Sequence, residues 1–149
     1  MNFMNIGTVF IEDLAAGDMR SLAKTIGHAE IAVFAELSED RNPIHLCDEA
    51  GRASVFGERV AHGMLSASLF SAIIGERLPG RGTVYLSQSL RFRAPVRVGD
   101  EVTATVTVLS VDRERRRARL ICEARVGETL VIDGEAEVLV PARTPVAAA

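Results

Sequence analysis

Residues Gly63 to Leu78 form the segment that most restricts the fold, because they are apolar on nearly every side of a predicted helix. Three serines interrupt the run, and Pro79-Gly80 ends it. A helix that lacks a continuous polar face must be covered by other parts of the chain. The rest of the sequence therefore has to supply a layer that surrounds this helix.

The chain after this helix alternates between apolar and polar residues, as strands with one buried face do. The inward-facing rows of the later strands start near Val102, Ala118 and Ile132. One more strand is predicted at 19–26, before a helix that starts near His28. One long helix packed against a curling antiparallel sheet is an α+β architecture. The first inward row is predicted to consist of Val84, Leu86, Leu90 and Phe92.

The length and composition predict one domain over residues 1–149, with a core at about 19–140 and a frayed tail at 141–149. The 48% hydrophobic content is sufficient for a single core. Thr8 to Ile11 resembles a short strand, followed by a turn that could cover one end of the core.

A turn that joins a carboxylate to an imidazole lies before the central helix. Asp40 and His45 are five positions apart, and Pro43 between them prevents a continuous helix. Asn42 favours the turn, since its short amide side chain bonds readily to nearby backbone. In such a turn the two side chains can converge on one water and move its protons. The alternative is a solvated helix end with no chemical role.

Gly63 adds a third chemical element at the start of the central helix. The N–H groups of a first helical turn have no partner within the helix, and a glycine lets another group approach them closely. With the helix dipole behind them, these groups suit an oxyanion. The segment therefore offers an acid, a base and an oxyanion donor.

These residues resemble the MaoC-like (R)-specific enoyl-CoA hydratases. The resemblance extends from about Met19 to Val140 and depends on the ordered combination of motifs, since each motif alone is weak. The motifs are Asp40-x-Asn42-Pro43-x-His45, Phe56-Gly57, His62-Gly63-Met64 and Phe92-x-Ala94-Pro95-Val96-x-x-Gly99-Asp100. Cys47 stands where the family often has Asp, which is a departure within the loop.

The resemblance implies a hot-dog fold, pairing of two copies into a homodimer, and reversible hydration of a trans-2-enoyl-CoA without a cofactor. It implies that Asp40 is the base, that His45 helps to deliver a proton, and that the Gly63 N–H stabilises the thioester oxygen. Asn42 and Ser71 are expected to contact the substrate. Ile74, one helical turn beyond Ser71, is expected to lie deeper in the pocket, against the end of the acyl chain. Monomer supply for polyhydroxyalkanoate synthesis is a role known in the family.

Three other functions remain open at this point. The chain could be a hot-dog acyl-CoA thioesterase, or a 3-hydroxyacyl-ACP dehydratase that acts on a carrier protein. It could also be a non-catalytic acyl-CoA-binding subunit, although such a subunit would be expected to have lost Asp40 or His45. The acyl chain length and the carrier are not encoded in these patterns.

Charge and residue usage argue against several other classes. A net charge of −3 and the absence of tryptophan give no case for nucleic acid or an anionic membrane as partner. The histidines at 28, 45 and 62 do not match a zinc motif, so no metal is predicted. The absence of a secretory signal, with only Cys47 and Cys122 present, predicts a cytoplasmic protein. An arginine cluster at 113–119 is expected to be a solvated turn, with contact to coenzyme A phosphates as the alternative.

Overall fold

The computed structural model describes residues 7–143, which form six strands and four helices. The longest helix is α4, and it lies at the position predicted from its apolar sequence. The elements are β1 (Met19–Ile26), α1 (His28–Ser38), α2 (Pro43–Leu46), α3 (Asp48–Ala53), α4 (Gly63–Glu76), β2 (Val84–Gln88), β3 (Arg91–Phe92), β4 (Asp100–Asp112), β5 (Arg117–Val126) and β6 (Thr129–Leu139).

The strands form one antiparallel sheet in the order β1-β4-β5-β6-β2, and β3 pairs with β6 beside β2. The buried side chains of α4, among them Leu69, Phe70 and Ile73, belong to one hydrophobic core with the inward rows of β4, β5 and β6. This arrangement confirms the predicted α+β class, with a curled antiparallel sheet around a central helix. Among the described residues, no helix combines the length and apolar character that a bilayer crossing requires.

One face of α4 is exposed, which differs from the predicted burial on nearly all sides. Met64, Ser68, Ser71 and Ala72 are exposed along this face. The helix packs against β4, β1 and β5, so the sheet covers the opposite face. Because side chains three and four positions apart share one face of a helix, one stripe of α4 stays exposed to solvent in a single chain.

The predicted inward row of the first strand after α4 is exposed except at Leu90, which is half-buried against the core. Leu86 and Phe92 have 44% and 53% of their surface exposed, and Val84 is likewise exposed. The reason is position, because Val84 and Leu86 lie on β2, the last strand of the sheet, and Phe92 lies on the short β3 beside it. The sheet therefore has a free edge at β2, and its apolar side chains are uncovered.

The segment before β1 is irregular, so the strand predicted at Thr8 to Ile11 is wrong. Its backbone instead binds other parts of the chain, with the Val9 N–H donating to Pro79 O at 2.7 Å and the Ile11 N–H to Pro141 O at 2.9 Å. Residues 141–143 are thereby held in place. Residues 144–149 lie outside the described residues, and fraying there stays a prediction.

Candidate active site

The turn between α1 and α2 is built by local hydrogen bonds. Glu39 ends α1 in the left-handed conformation, with φ of 65°. The Asp40 carboxylate accepts the Asn42 N–H at 3.2 Å, and the Asn42 side chain accepts the Ile44 N–H at 3.3 Å. Pro43 then occupies the first turn of α2, where its missing N–H costs nothing. Asn42 thus caps a helix, and its predicted contact with substrate stays a prediction.

His45 is buried on α2, and its ring has one defined orientation. Its Nδ1 lies 2.7 Å from Val60 O. A carbonyl oxygen only accepts, so Nδ1 carries a hydrogen and Nε2 is left for chemistry. The Arg59 guanidinium donates twice to His45 O, at 2.9 and 2.8 Å. Both the ring and the backbone of His45 are therefore fixed from the segment that leads into α4.

His62 joins this pair, which the sequence spacing did not indicate. Asp40, His45 and His62 each offer a ligand-type atom, and these atoms lie within 4.8 Å of one another. Such a set can hold a metal ion in other proteins. The spacing of the histidines along the sequence did not predict this cluster, because the fold brings His45 and His62 together. The predicted absence of a metal stays a prediction.

A cavity of about 410 Å³ opens beside these residues. Asp40 and His45 line one wall, and Gly63 at the start of α4 lines another. A Cβ atom built on Gly63 would come within 2.6 Å of two ring carbons of Phe92. Only glycine therefore fits between the cavity and this ring without a shift. The structure thus brings together the three residues predicted to be catalytic.

The cavity is also lined by parts of the quoted motifs that had no assigned role. These are Phe56 and the segment from Phe92 to Val96. Ser66 is another lining residue, and its buried Oγ has no hydrogen-bond partner among the described residues. Serines in buried helices usually bond to a carbonyl one turn back, and Ser66 does not. Ser68 does so, since it donates to Leu65 O at 2.6 Å.

Ser71 and Ile74 are not brought to this cavity. Ser71 is exposed on the open face of α4, and Ile74 is buried in the core. The helical repeat turns Ser71 away from the face that Gly63 and Ser66 share, whereas Ile74 is on nearly the same face as Gly63 but roughly 16 Å further along the axis, at a rise of about 1.5 Å per residue. Contact of Ser71 and Ile74 with an acyl chain finds no support in the single chain and stays a prediction.

A change at Ile74 tests this placement. Ile74→Ala is expected to lower the free energy of unfolding by about 2–5 kcal/mol, as buried Ile to Ala changes do. The ratio of kcat/KM for crotonyl-CoA and octenoyl-CoA should not change, because Ile74 does not line the cavity. Ile132, like Ile74 only 2% exposed, does line it. Ile132→Ala is therefore the matched comparison, and it should shift the ratio towards octenoyl-CoA. A shift with Ile74→Ala would restore its predicted pocket role.

The two cysteines do not offer a thiolate at this site. Burial raises the pKa of the Cys122 thiol to about 11, so it is protonated near neutral pH. Cys47 is exposed at the junction of α2 and α3 and does not line the cavity. Within the arginine cluster, Arg117 and Arg119 form ion pairs with Glu137 and Glu135 at 2.7 and 2.5 Å. The chemistry is therefore left to the carboxylate and the imidazole.

Comparisons with known proteins identify the family of the chain and agree with its fold. A family model described as MaoC like domain matches residues 15–130. The 3-hydroxybutyryl-CoA dehydratase of Methylorubrum extorquens is 50% identical over 133 residues, which cover 89% of this chain and 85% of that protein. The (R)-specific enoyl-CoA hydratase of Rhodospirillum rubrum is 49% identical over 134 residues, which cover 90% and 93%.

A solved structure extends the likeness to three dimensions. The structure described as the (R)-hydratase from A. caviae involved in PHA biosynthesis superposes with a TM-score of 0.85 at 45% identity. The match covers 87% of this chain and 99% of that one. It confirms the hot-dog fold expected from the motifs. The chain belongs to the MaoC-like domain family.

Proposed function

We propose that this protein is an (R)-specific enoyl-CoA hydratase, which reversibly adds water to a trans-2-enoyl-CoA and forms an (R)-3-hydroxyacyl-CoA. The observation that carries the proposal is the convergence of the Asp40 carboxylate, the free Nε2 of His45 and the start of α4 on one cavity. The names of the two relatives and of the A. caviae structure support the same reaction class.

In the hydration direction, Asp40 and His45 divide the proton transfers. The Asp40 carboxylate takes a proton from water as the water oxygen bonds to C3. The C2=C3 electron pair becomes the C1=C2 bond of an enolate as the carbonyl pair moves onto the thioester oxygen. When the carbonyl re-forms, C2 takes a proton from Nε2 of a His45 that carries hydrogens on both nitrogens, and the proton on Asp40 then returns to Nε2 through solvent, which restores both residues. Nδ1 keeps its hydrogen on Val60 O throughout, so the ring does not need to turn. Dehydration follows the same steps in reverse.

The negative charge that forms on the thioester oxygen needs a donor in a fixed position. The Gly63 N–H is at the first position of α4, where it has no acceptor within the helix. The helix dipole adds to its attraction for an oxyanion. The missing side chain of Gly63 allows the thioester to come close to this N–H.

The acyl part of the substrate is proposed to occupy the cavity. Its walls are largely apolar, with Phe56, Phe92 and Ile132 among them, as expected for a hydrocarbon chain. The carrier can be coenzyme A or an acyl carrier protein, and the carrier-protein dehydratase remains the nearest alternative. The PHA role belongs to the A. caviae protein, and an (R)-3-hydroxyacyl-CoA product would suit the same use here.

The deciding experiment follows the enoyl-thioester absorbance with crotonyl-CoA. The absorbance should fall, chiral analysis should identify (R)-3-hydroxybutyryl-CoA, and no free thiol should appear. Release of free thiol from a saturated acyl-CoA would instead identify a thioesterase. If neither the coenzyme A thioester nor the carrier-protein thioester were turned over, the remaining function would be that of a non-catalytic acyl-CoA-binding subunit.

The proposed unit of function is a homodimer that pairs through the edge of the sheet. Its support is the free strand β2 with its exposed Leu86, together with the exposed apolar side chains of Phe92 on β3 and Met64 on α4. An unpaired apolar edge is an unstable surface in water and a template for a second copy. The cytoplasmic location stays a prediction.

Sedimentation at micromolar concentration should show a species of twice 16.0 kDa. Leu86→Asp should give the single 16.0 kDa species, because it places a charge on the apolar edge. Val55→Asp, at a residue 95% exposed in the turn after α3, should remain dimeric. A monomeric parent protein would contradict the proposal.

A further inference from the structure

We infer that His62 is a positioning residue, which holds Asp40 and His45 in register for proton transfer. The inference deepens the proposed hydratase function and depends on it. His62 is only 2% exposed, and it lies directly before the first residue of α4. It contacts both catalytic residues, each in a different way.

The first contact is with the backbone of Asp40. Nε2 of His62 lies 2.9 Å from Asp40 O, and since a carbonyl only accepts, Nε2 carries the hydrogen. The other hydrogen bonds that the structure gives to Asp40 are local, from its own N–H to Ser38 and from the Asn42 N–H to its carboxylate. The bond from His62 therefore ties the backbone of Asp40, which carries the catalytic carboxylate, to the start of α4, across 22 positions of sequence.

The second contact is with the ring of His45. The two imidazoles stack with centroids 3.9 Å apart and an interplanar angle of 30°. Phe34 of α1 packs against His62 at 4.9 Å and 60°. His62 is thus held between Phe34 and the catalytic imidazole, and it limits tilting of the His45 ring.

Nδ1 of His62 indicates that this side chain does more than fill space in the core. Nδ1 is buried and has no hydrogen-bond partner among the described residues. A buried polar atom without a partner is unfavourable for folding, and a leucine or phenylalanine would avoid it. What an imidazole adds over those residues is the Nε2–H bond to Asp40. The polar side chain is therefore explained by its effect on the catalytic pair.

The test distinguishes the hydrogen bond from His62 to Asp40 from the stacking of His62 on His45. His62→Phe keeps an aromatic ring against His45 and removes the donor to Asp40. With crotonyl-CoA it is expected to lower kcat about tenfold and to leave KM within about twofold, because misplacement of a catalytic group acts on the reaction step. His62→Gln keeps an N–H donor and should retain more of the parent kcat than His62→Phe.

A double-variant cycle distinguishes positioning from a structural role. In a His45→Gln background, His62→Phe should cause less than about a twofold further loss, because the arrangement that it supports is already broken. A structural role would lower kcat by the same factor in both backgrounds, and this would overturn the inference. Parent-like kcat in His62→Phe would overturn it as well, and so would failure of both His62 variants to fold.

Different results would refute the proposed hydratase function and the positioning role of His62. If the parent protein does not hydrate crotonyl-CoA or the corresponding carrier-protein thioester, the hydratase proposal falls and the inference falls with it. If the parent is active and the cycle is additive, only the positioning role of His62 is lost.

Discussion

Asp40→Asn and His45→Gln are each expected to lower kcat for hydration of crotonyl-CoA by at least about a hundredfold, the usual scale of general acid–base help. The amide that replaces the Asp40 carboxylate cannot accept a proton from water, and the amide that replaces the His45 imidazole cannot carry one to C2. KM should change less, because neither side chain is proposed to hold the acyl chain or the carrier. The rate of hydration at saturating crotonyl-CoA, followed in a stopped assay, measures the loss of kcat directly.

Both variants should still melt near the parent temperature. Asp40 is exposed, and an asparagine retains the oxygen that accepts the Asn42 N–H. Asp112→Asn, at the end of β4, and His28→Gln, at the start of α1, are the matched controls. Both control positions are exposed and lie outside the cavity lining, so parent turnover is expected. If Asp40→Asn or His45→Gln also turned over at the parent rate, that residue would have no place in the mechanism.

The fold was predictable from sequence where the pattern is local. The apolar run over α4 and the alternating rows of β4, β5 and β6 are each visible within a dozen residues, and together they predict a helix against a sheet. The exposure of β2 is not visible in this way. Val84 and Leu86 have the alternation of a buried strand, and only the order of strands across the whole sheet places them at an edge.

The same limit applies to the active site. Asp40 and His45 were predictable because one short turn around Pro43 brings them together. His62 lies 22 positions after Asp40, and its contact with that turn depends on the route of the chain through α2 and α3. Its signal was the position before Gly63 at a predicted helix start. Ser71 and Ile74 were assigned through the resemblance and one turn of helical spacing, which does not fix which face of α4 meets the cavity.

The resemblance supplied information that periodicity could not. Phe56 and the Phe92 to Val96 segment are separated by more than thirty positions, and no spacing rule joins them. In the structure both line the cavity that holds the catalytic turn. Motifs that are weak one at a time therefore described one continuous surface of the folded chain.

Gly63→Ala is expected to lower kcat/KM for crotonyl-CoA by about a hundredfold, the lower end of what loss of one oxyanion donor costs. The N–H remains in this variant, but the new methyl group stands at the cavity wall and keeps the thioester oxygen away from it. The methyl group also meets Phe92 ring carbons at 2.6 Å. Since Phe92 is half-exposed at the sheet edge, its ring can move, and the melting temperature should change little.

Two further variants assign the cause of that loss. Gly75→Ala adds the same methyl group to the same helix at a position where it meets nothing within 4 Å. It should keep parent activity and gain up to about 1 kcal/mol of stability from helix propensity. Gly63→Ala combined with Phe92→Ala removes the clash with the ring and leaves the methyl group in place. If the oxyanion role is correct, the combined variant stays as slow as Gly63→Ala, whereas recovery to the activity of Phe92→Ala alone would show that displacement of the ring, and not access to the Gly63 N–H, caused the loss.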